Sequence, residues 1–338
     1  MLTRTKVGRV SEATAMVWQD GSPSTTTADF GSLKQLADAP SLCWLDICAA
    51  TDAELAGVAH QFGLDAHSIE DAVTPRERAK AYRFDGYSFA TVYGASLSRG
   101  PATHRRVRLS HIGVYTLPTC LLTIRRDKQF DLSPVVELWR ADAKLAQFGV
   151  DGLLQGLLDV AVDQQFEVLQ GLDDDAEAVI AKMFVDNPDL RGLQQQTFNL
   201  RRELVELRRV VPPMRDVIAT LIRAGEAERA WTMEMISYYE DLNDHVMRAT
   251  EWLDSLRDLV SSIFETNLAL NDNRMNQVMK KLAGWAAIIA VPTLITGYFG
   301  MNVPYFGFSD TAGFIVSSVL IVGAAVTLFI VMRRKDWI

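Results

Sequence analysis

Residues 299–302 read Phe-Gly-Met-Asn, and they stand at the outer end of one uncharged segment just before a second begins. That placement points to ions in transit rather than to bond making. Residues 282–309 contain no charged side chain, nor do residues 311–332. Each stretch exceeds the roughly 20 apolar residues needed to cross a bilayer. The chain is therefore expected to carry a two-helix membrane hairpin, with Gly300, Met301 and Asn302 at its mouth.

A second set of polar residues leads up to that mouth. Asp241, Asp244, Arg248, Glu251, Ser255, Asp258, Ser262, Glu265, Asp272 and Asn276 recur at alternating helical spacings. Continued into the uncharged segment, the same face becomes Met279, Ala283, Ala290, Thr293 and Gly297, small or weakly polar. About a quarter turn away, Leu242, Val246, Ala249, Leu253, Leu256, Val260 and Ile263 form an apolar seam suited to packing along a partner. One helix from about Ala227 into the membrane, much longer than a globular helix, would carry both faces. A single helix encloses no channel, so the inward stripe implies several copies around an axis. A charged coiled-coil surface would explain the soluble stretch, but not the small residues that continue into lipid.

Charge orients the hairpin. Arg274, Lys280 and Lys281 precede it, Arg333, Arg334 and Lys335 follow it, and the connecting loop has neither Lys nor Arg. The excess of basic residues on cytoplasmic flanks places both termini in the cytoplasm. The first 30 residues lack an apolar core of signal-peptide length, which keeps the N-terminal part in the cytosol. A net charge of -8 disfavours nucleic acid as a partner. The one dense basic cluster, His104-Arg105-Arg106-Val107-Arg108, reads as a solvated strand edge.

Upstream, residues 41–150 read as an α/β domain, with a strand at Cys43–Ile47, a helix at Asp52–Phe62, alternating stretches at 84–97 and 107–124, and turns at Asp85-Gly86 and Leu117-Pro118. The first 40 residues read as a flexible segment. Residues 151–225 read as an antiparallel helical pair, turning at Asn187-Pro188-Asp189 and disturbed at Pro212-Pro213. Residues 226–281 are the long stalk helix and 282–338 the hairpin with its basic tail. No phosphate-binding glycine loop or nucleophile elbow occurs, which disfavours nucleotide-driven pumping. Cys43, Cys48 and Cys120 read as buried thiols, and the five histidines show no zinc spacing. The acidic run Asp173-Asp174-Asp175-Ala176-Glu177 reads as a solvated face.

The ending Gly297-Tyr298-Phe299-Gly300-Met301-Asn302, with its second span and the tail Arg333-Arg334-Lys335-Asp336-Trp337-Ile338, resembles the CorA-type magnesium transporters. Trp44-Leu45-Asp46, His67-Ser68-Ile69-Glu70-Asp71, the stretch Arg209 to Asp216 and Glu240-Asp241-Leu242-Asn243-Asp244-His245 resemble landmarks in that family's order. The resemblance covers nearly everything after residue 40.

The resemblance implies a funnel-shaped homopentamer in a plasma or inner membrane: α/β cytosolic domain, long helical stalk, and two C-terminal transmembrane helices. It implies a passive importer with Mg2+ as substrate and regulatory ion, and with itself, divalent cations and lipid as partners. Magnesium sheds its waters reluctantly. A ring of Asn302 amides can grip the hydration shell without the deep trap a carboxylate ring would make. Gly300 and Met301 would shape the mouth, and Thr293, Asn276 and Glu265 match pore-facing positions. Asp71 with Glu70, and Asp241 with Asp244, match carboxylates that bind magnesium between neighbouring subunits and close the pore. The loop 303–310 departs from the pattern: it lacks the glutamate many members carry, leaving Asp310 as its only acid. Relatives that move zinc, cobalt or nickel define the alternative. A third reading makes the hairpin only the anchor of a cytosolic enzyme or scaffold.

Overall fold

The computed structural model describes residues 11–19, 22–99, 105–185, 188–227, 231–301, 311–335 and 337. The chain divides into two compact units, residues 1–261 and 262–338.

The first unit is built on seven strands: β1 (Glu12–Gln19), β2 (Ser22–Thr27), β3 (Cys43–Cys48), β4 (Lys80–Phe84), β5 (Tyr87–Arg99), β6 (Arg105–Thr116) and β7 (Cys120–Arg125). Their order is β2-β1-β3-β7-β6-β5-β4, antiparallel except where β3 meets β7. β1 and β2 overturn the reading of residues 1–40 as flexible, because Glu12–Gln19 and Ser22–Thr27 are two strands of the sheet. The sequence hid them because β2, Ser-Pro-Ser-Thr-Thr-Thr, is an exposed polar edge strand that reads like a loop.

Every residue of β3 and β7 is buried, as strands covered on both faces must be. Cys43, Leu45 and Ile47 face a core that includes Leu55, Val58 and Phe62 of helix α2 (Asp52–Phe62) and Leu33 of α1 (Leu33–Ala37). α2 starts where the sequence demands it: Thr51 and Glu54 form a reciprocal capping box. Asp65 caps α3 (Ala66–Val73) by accepting the backbone N–H groups of His67 and Ser68. The turn at Asp85-Gly86 is present, with Gly86 at φ 83, where a side chain would be strained.

The opposite face alternates to Trp44, Asp46, Thr123 and Arg125. Trp44 meets Trp139 of α4 (Ser133–Ala141) edge to face at 5.1 Å. Asp46 and Arg125 make a buried fork, Nη2 to Oδ2 at 2.6 Å and Nε to Oδ1 at 2.9 Å. The Thr123 hydroxyl donates to Asp46 at 2.7 Å, and Arg125 Nη1 donates to the Phe130 carbonyl at 2.8 Å.

After the short α5 (Ala143–Gln147) come α6 (Gly149–Met183), α7 (Leu190–Arg208) and α8 (Val211–Ala227). The Pro212-Pro213 disturbance is a full break, and both prolines lie in the first turn of α8, where their missing N–H groups have no helical partner to lose. α9 runs unbroken from Met233 to Phe299. Its early part lies along α6. The Tyr239 hydroxyl donates to the Asp151 carbonyl at 3.1 Å, and Trp252 Nε1 donates to Asp173 at 3.3 Å. The seam from Leu242 to Ile263 is buried throughout. Asp173, read as wholly solvated, thus has a packing partner.

The second unit contains the rest of α9 and α10 (Thr311–Arg334). Both helices are long and apolar enough to span a bilayer. Their large apolar residues are turned outward: Leu294 is 73% exposed and Phe314 72%. In water such a surface would be a liability; in lipid it is the solvent-facing face.

Candidate functional site

The stripe singled out along α9 is present as a face. With 3.6 residues per turn, Glu265, Asn276, Met279, Ala290, Thr293, Gly297 and Met301 fall within about a third of the helix circumference. All are exposed, so the described residues of this chain leave the stripe uncovered. Ala290, Thr293, Gly297 and Met301, with Leu294 and Tyr298, line a shallow groove of about 610 Å³. The Thr293 hydroxyl donates to the Ile289 carbonyl at 2.8 Å. This hydroxyl does not satisfy the carbonyl that Pro292 frees. The freed carbonyl is that of Ile288, four residues before the proline, so Thr293 serves its own turn instead.

At the end of α9, Gly300 N–H donates to the Thr296 carbonyl at 2.9 Å and Met301 N–H to Tyr298 at 3.4 Å. The last turn therefore closes immediately before Asn302. Asn302 itself, like the outer loop 303–310, lies outside the described residues.

Asp71 and Glu70 sit on α3, and Asp241 and Asp244 on α9. Among the described residues no group of three acidic, His or Cys side chains is placed to hold a metal, so one chain does not assemble these four into a site. Asp71 is already paired with Lys80 at 2.8 Å, and Lys80 also reaches Glu77 at 2.7 Å. Burial disfavours the Lys80 charge, but the hydrogen bonds it donates to Asp71 and Glu77 outweigh that and raise its pKa. A cation reaching Asp71 competes with this ammonium. Glu70, Asp241 and Asp244 are exposed.

Asp241 has neighbours that sequence reasoning did not select. Its carboxylate lies 3.6 Å from His245 Nε2, and Asp159 and Asp163 of α6 share the same electrostatic neighbourhood. Burial, then the charge of Asp163, push the Asp159 carboxyl above its ordinary pKa. Burial likewise raises Asp163. The spacing of four on α6 was the only available signal, and it is common on solvated helices. A carboxyl raised in the folded state favours folding when protonated and opposes it once ionised, so its contribution falls as pH rises through the folded pKa. Asp159→Asn, which never ionises, is therefore expected to raise the unfolding temperature at pH 7 in chelator. The gain should shrink as pH falls toward about 4, where the unfolded carboxyl also protonates. Thermal unfolding across that range checks this, and a gain constant with pH would sink the electrostatic explanation.

An α/β unit with two bilayer-length helices, the first continuous with a long packed helix and striped with small residues, defines a two-span membrane transport protein. Residues 40–334 match the CorA-like Mg2+ transporter protein family. The chain belongs to that family and is a divalent cation transporter. It is 25% identical to the cobalt/magnesium transport protein CorA of Thermotoga maritima, over 92% of this chain and 88% of that protein. It is 23% identical to the zinc transport protein ZntB of Yersinia pseudotuberculosis, over 98% of each. The fold matches the complete structure of the CorA magnesium transporter from Methanocaldococcus jannaschii, with a TM-score of 0.73 at 22% identity, covering 98% of this chain and all of that one.

Proposed function

We propose that the chain is a passive, channel-like magnesium importer, assembled as a homopentamer around the small-residue stripe of α9. The observation that carries this reading is that stripe: polar, then small, exposed along its length, and leading directly to Gly300, Met301 and Asn302. In this arrangement the Asn302 amides select hydrated Mg2+, and Thr293, Asn276 and Glu265 are way stations below them. Gly297, Ala290 and Met279 complete the lining. Both termini lie in the cytoplasm, and the membrane potential drives entry.

Closure follows from the carboxylates. Asp71 and Glu70 of one subunit, with Asp241 and Asp244 of its neighbour, repel unless a divalent ion neutralises them, so bound Mg2+ holds the subunits together and its loss loosens them. The double variant Asp71→Asn/Asp241→Asn is expected to keep conducting at magnesium levels that silence the parent. Unchanged closure would remove these residues from the regulatory site.

A zinc, cobalt or nickel transporter is the second reading, supported by the end-to-end similarity to a zinc transport protein. Neutral oxygen ligands at the mouth favour a hard cation over a soft one. The test is ion uptake into proteoliposomes loaded with a magnesium-sensitive dye, for the parent and Asn302→Ala, with zinc as competitor. Uptake lost in the variant supports magnesium selection at Asn302. Zinc entry without magnesium entry would replace it with the second reading.

A further inference from the structure

Among the described residues, half of β6 has no strand on one side. β5 runs along it from Arg105 to Thr116, whereas β7 pairs only with Ile112 to Thr116. Arg105 to Arg108 of the basic cluster occupy the overhang, and α7 closes over it. The buried Glu203 carboxylate accepts the Val107 N–H at 2.9 Å. Between the overhang, the loop before β4 and the helices α7 and α8 lies a cavity of about 1000 Å³.

Its charge is opposite to that of the protein. Among the described residues, eight arginines and four carboxylates border it, a formal +4 on a chain of net charge -8. The four carboxylates are all engaged: Glu77 by Lys80, Asp127 by the Gln129 N–H, Glu203 by Val107, and Glu206 by Arg209. The guanidinium groups of Arg76, Arg108, Arg202 and Arg208 make no hydrogen bond or ion pair among the described residues. His111 also borders the cavity. Burial, then the Arg126 charge, lower its pKa to about 4, and neither ring nitrogen has a partner among the described residues. Arg76 holds a left-handed backbone, φ 64, a conformation that surrounding structure must enforce in a non-glycine residue.

Exposed arginines are ordinarily solvated one at a time. Gathered in a concavity, like charges repel, and the walls focus their field on whatever anion enters. Guanidinium forks match phosphate oxygens in pairs. The volume is at the upper end of the roughly 300–1000 Å³ usual for small-molecule sites. We propose that this cavity binds a polyphosphate of nucleotide size, held by Arg108, Arg202 and Arg208. Magnesium on the polyphosphate cancels part of the charge these arginines read, so the metal-free anion binds more tightly than its magnesium complex. The site needs no phosphate-binding glycine loop, which is why the sequence motifs for nucleotides did not reveal it.

Titration calorimetry on the full-length, detergent-solubilised protein in chelator tests this, with ATP, inorganic tripolyphosphate and inorganic phosphate as probes. Saturable binding of the first two is expected, at least tenfold weaker in Arg108→Glu/Arg202→Glu and weaker again when magnesium is added. Equal affinity for ATP and tripolyphosphate would mean that the phosphates alone are read; tighter ATP would add a contact to the nucleoside. Arg108→Gln/Arg202→Gln serves if charge reversal impairs folding, judged by circular dichroism. No saturable binding to the parent, or binding unchanged in the variants, overturns the proposal. So does charge reversal that dissociates the assembly while polyphosphate fails to compete, which would make the cavity a contact between copies.

Discussion

Gly297→Leu is expected to reduce cation uptake to the level of protein-free liposomes while leaving the chain folded. A Cβ added at Gly297 meets no atom within 4 Å, so nothing in the described chain requires glycine there. Mid-helix glycine in fact disfavours a helix by about 0.8–1.0 kcal/mol relative to alanine in soluble hosts. Something outside the single chain must favour the missing side chain, and the groove beside Ala290, Thr293 and Met301 indicates what. If that groove faces a shared axis, every copy adds a branched apolar group to the uncharged section, and an apolar constriction dewets. Gly323 on α10 supplies the control, because a Cβ there also meets nothing within 4 Å. Gly323→Leu should conduct normally. Equal flux in both variants would remove the stripe from the pore lining.

The largest expected loss of stability is at Asp46. Its side chain is 4% exposed and that of Arg125 8%, and each satisfies the other in a fork completed by Thr123 and the Phe130 carbonyl. Asp46→Ala strands a buried guanidinium, which costs about 3–5 kcal/mol. At about 2–4 °C per kcal/mol for a domain of this size, the unfolding temperature should fall by roughly 6–20 °C. The double replacement Asp46→Leu/Arg125→Met removes both charges and should recover most of that loss, because well-packed apolar residues often match a buried ion pair. A double variant as unstable as the single one would show that shape, not charge pairing, dominates. This also gives the Trp44-Leu45-Asp46 landmark a physical meaning: Trp44 Nε1 donates to the Thr123 hydroxyl at 3.0 Å, so both polar contacts converge on one buried network.

Elements whose length or period is set by one dominant force were legible in the sequence. The two spans were plain because bilayer thickness fixes a long uncharged run, and the Leu242 to Ile263 seam because a packed helix repeats every three or four residues. α2 was read to its exact bounds because its capping box and its stop at Gly63 are both local. β1 and β2 were missed because an edge strand needs no apolar face of its own. β1 alternates Ala13, Ala15 and Val17 into the core, but small residues make a weak signal. At the site, the stripe from Glu265 to Gly297 followed from periodicity. The company of Asp241 did not, because Asp159 reaches it, and Asp163 reaches its neighbour His245, from a helix some 80 residues earlier. The arginine-lined cavity escaped for the same reason: its lining comes mainly from four separated stretches, residues 75–78, 106–111, 126–129 and 202–213, and only the arginines at 106 and 108 stood out as a cluster in sequence.

The burial of the three cysteines has a practical consequence in reactivity. Cys43, Cys48 and Cys120 are all free and buried, and burial raises the thiols of Cys48 and Cys120, so little reactive thiolate is available to an added reagent. The native protein should be nearly silent toward maleimides. A cysteine placed at Met279, Ala290 or Gly297 would then be the one site that reacts, and its modification rate with and without magnesium would report the opening of that face directly, without first removing the native thiols.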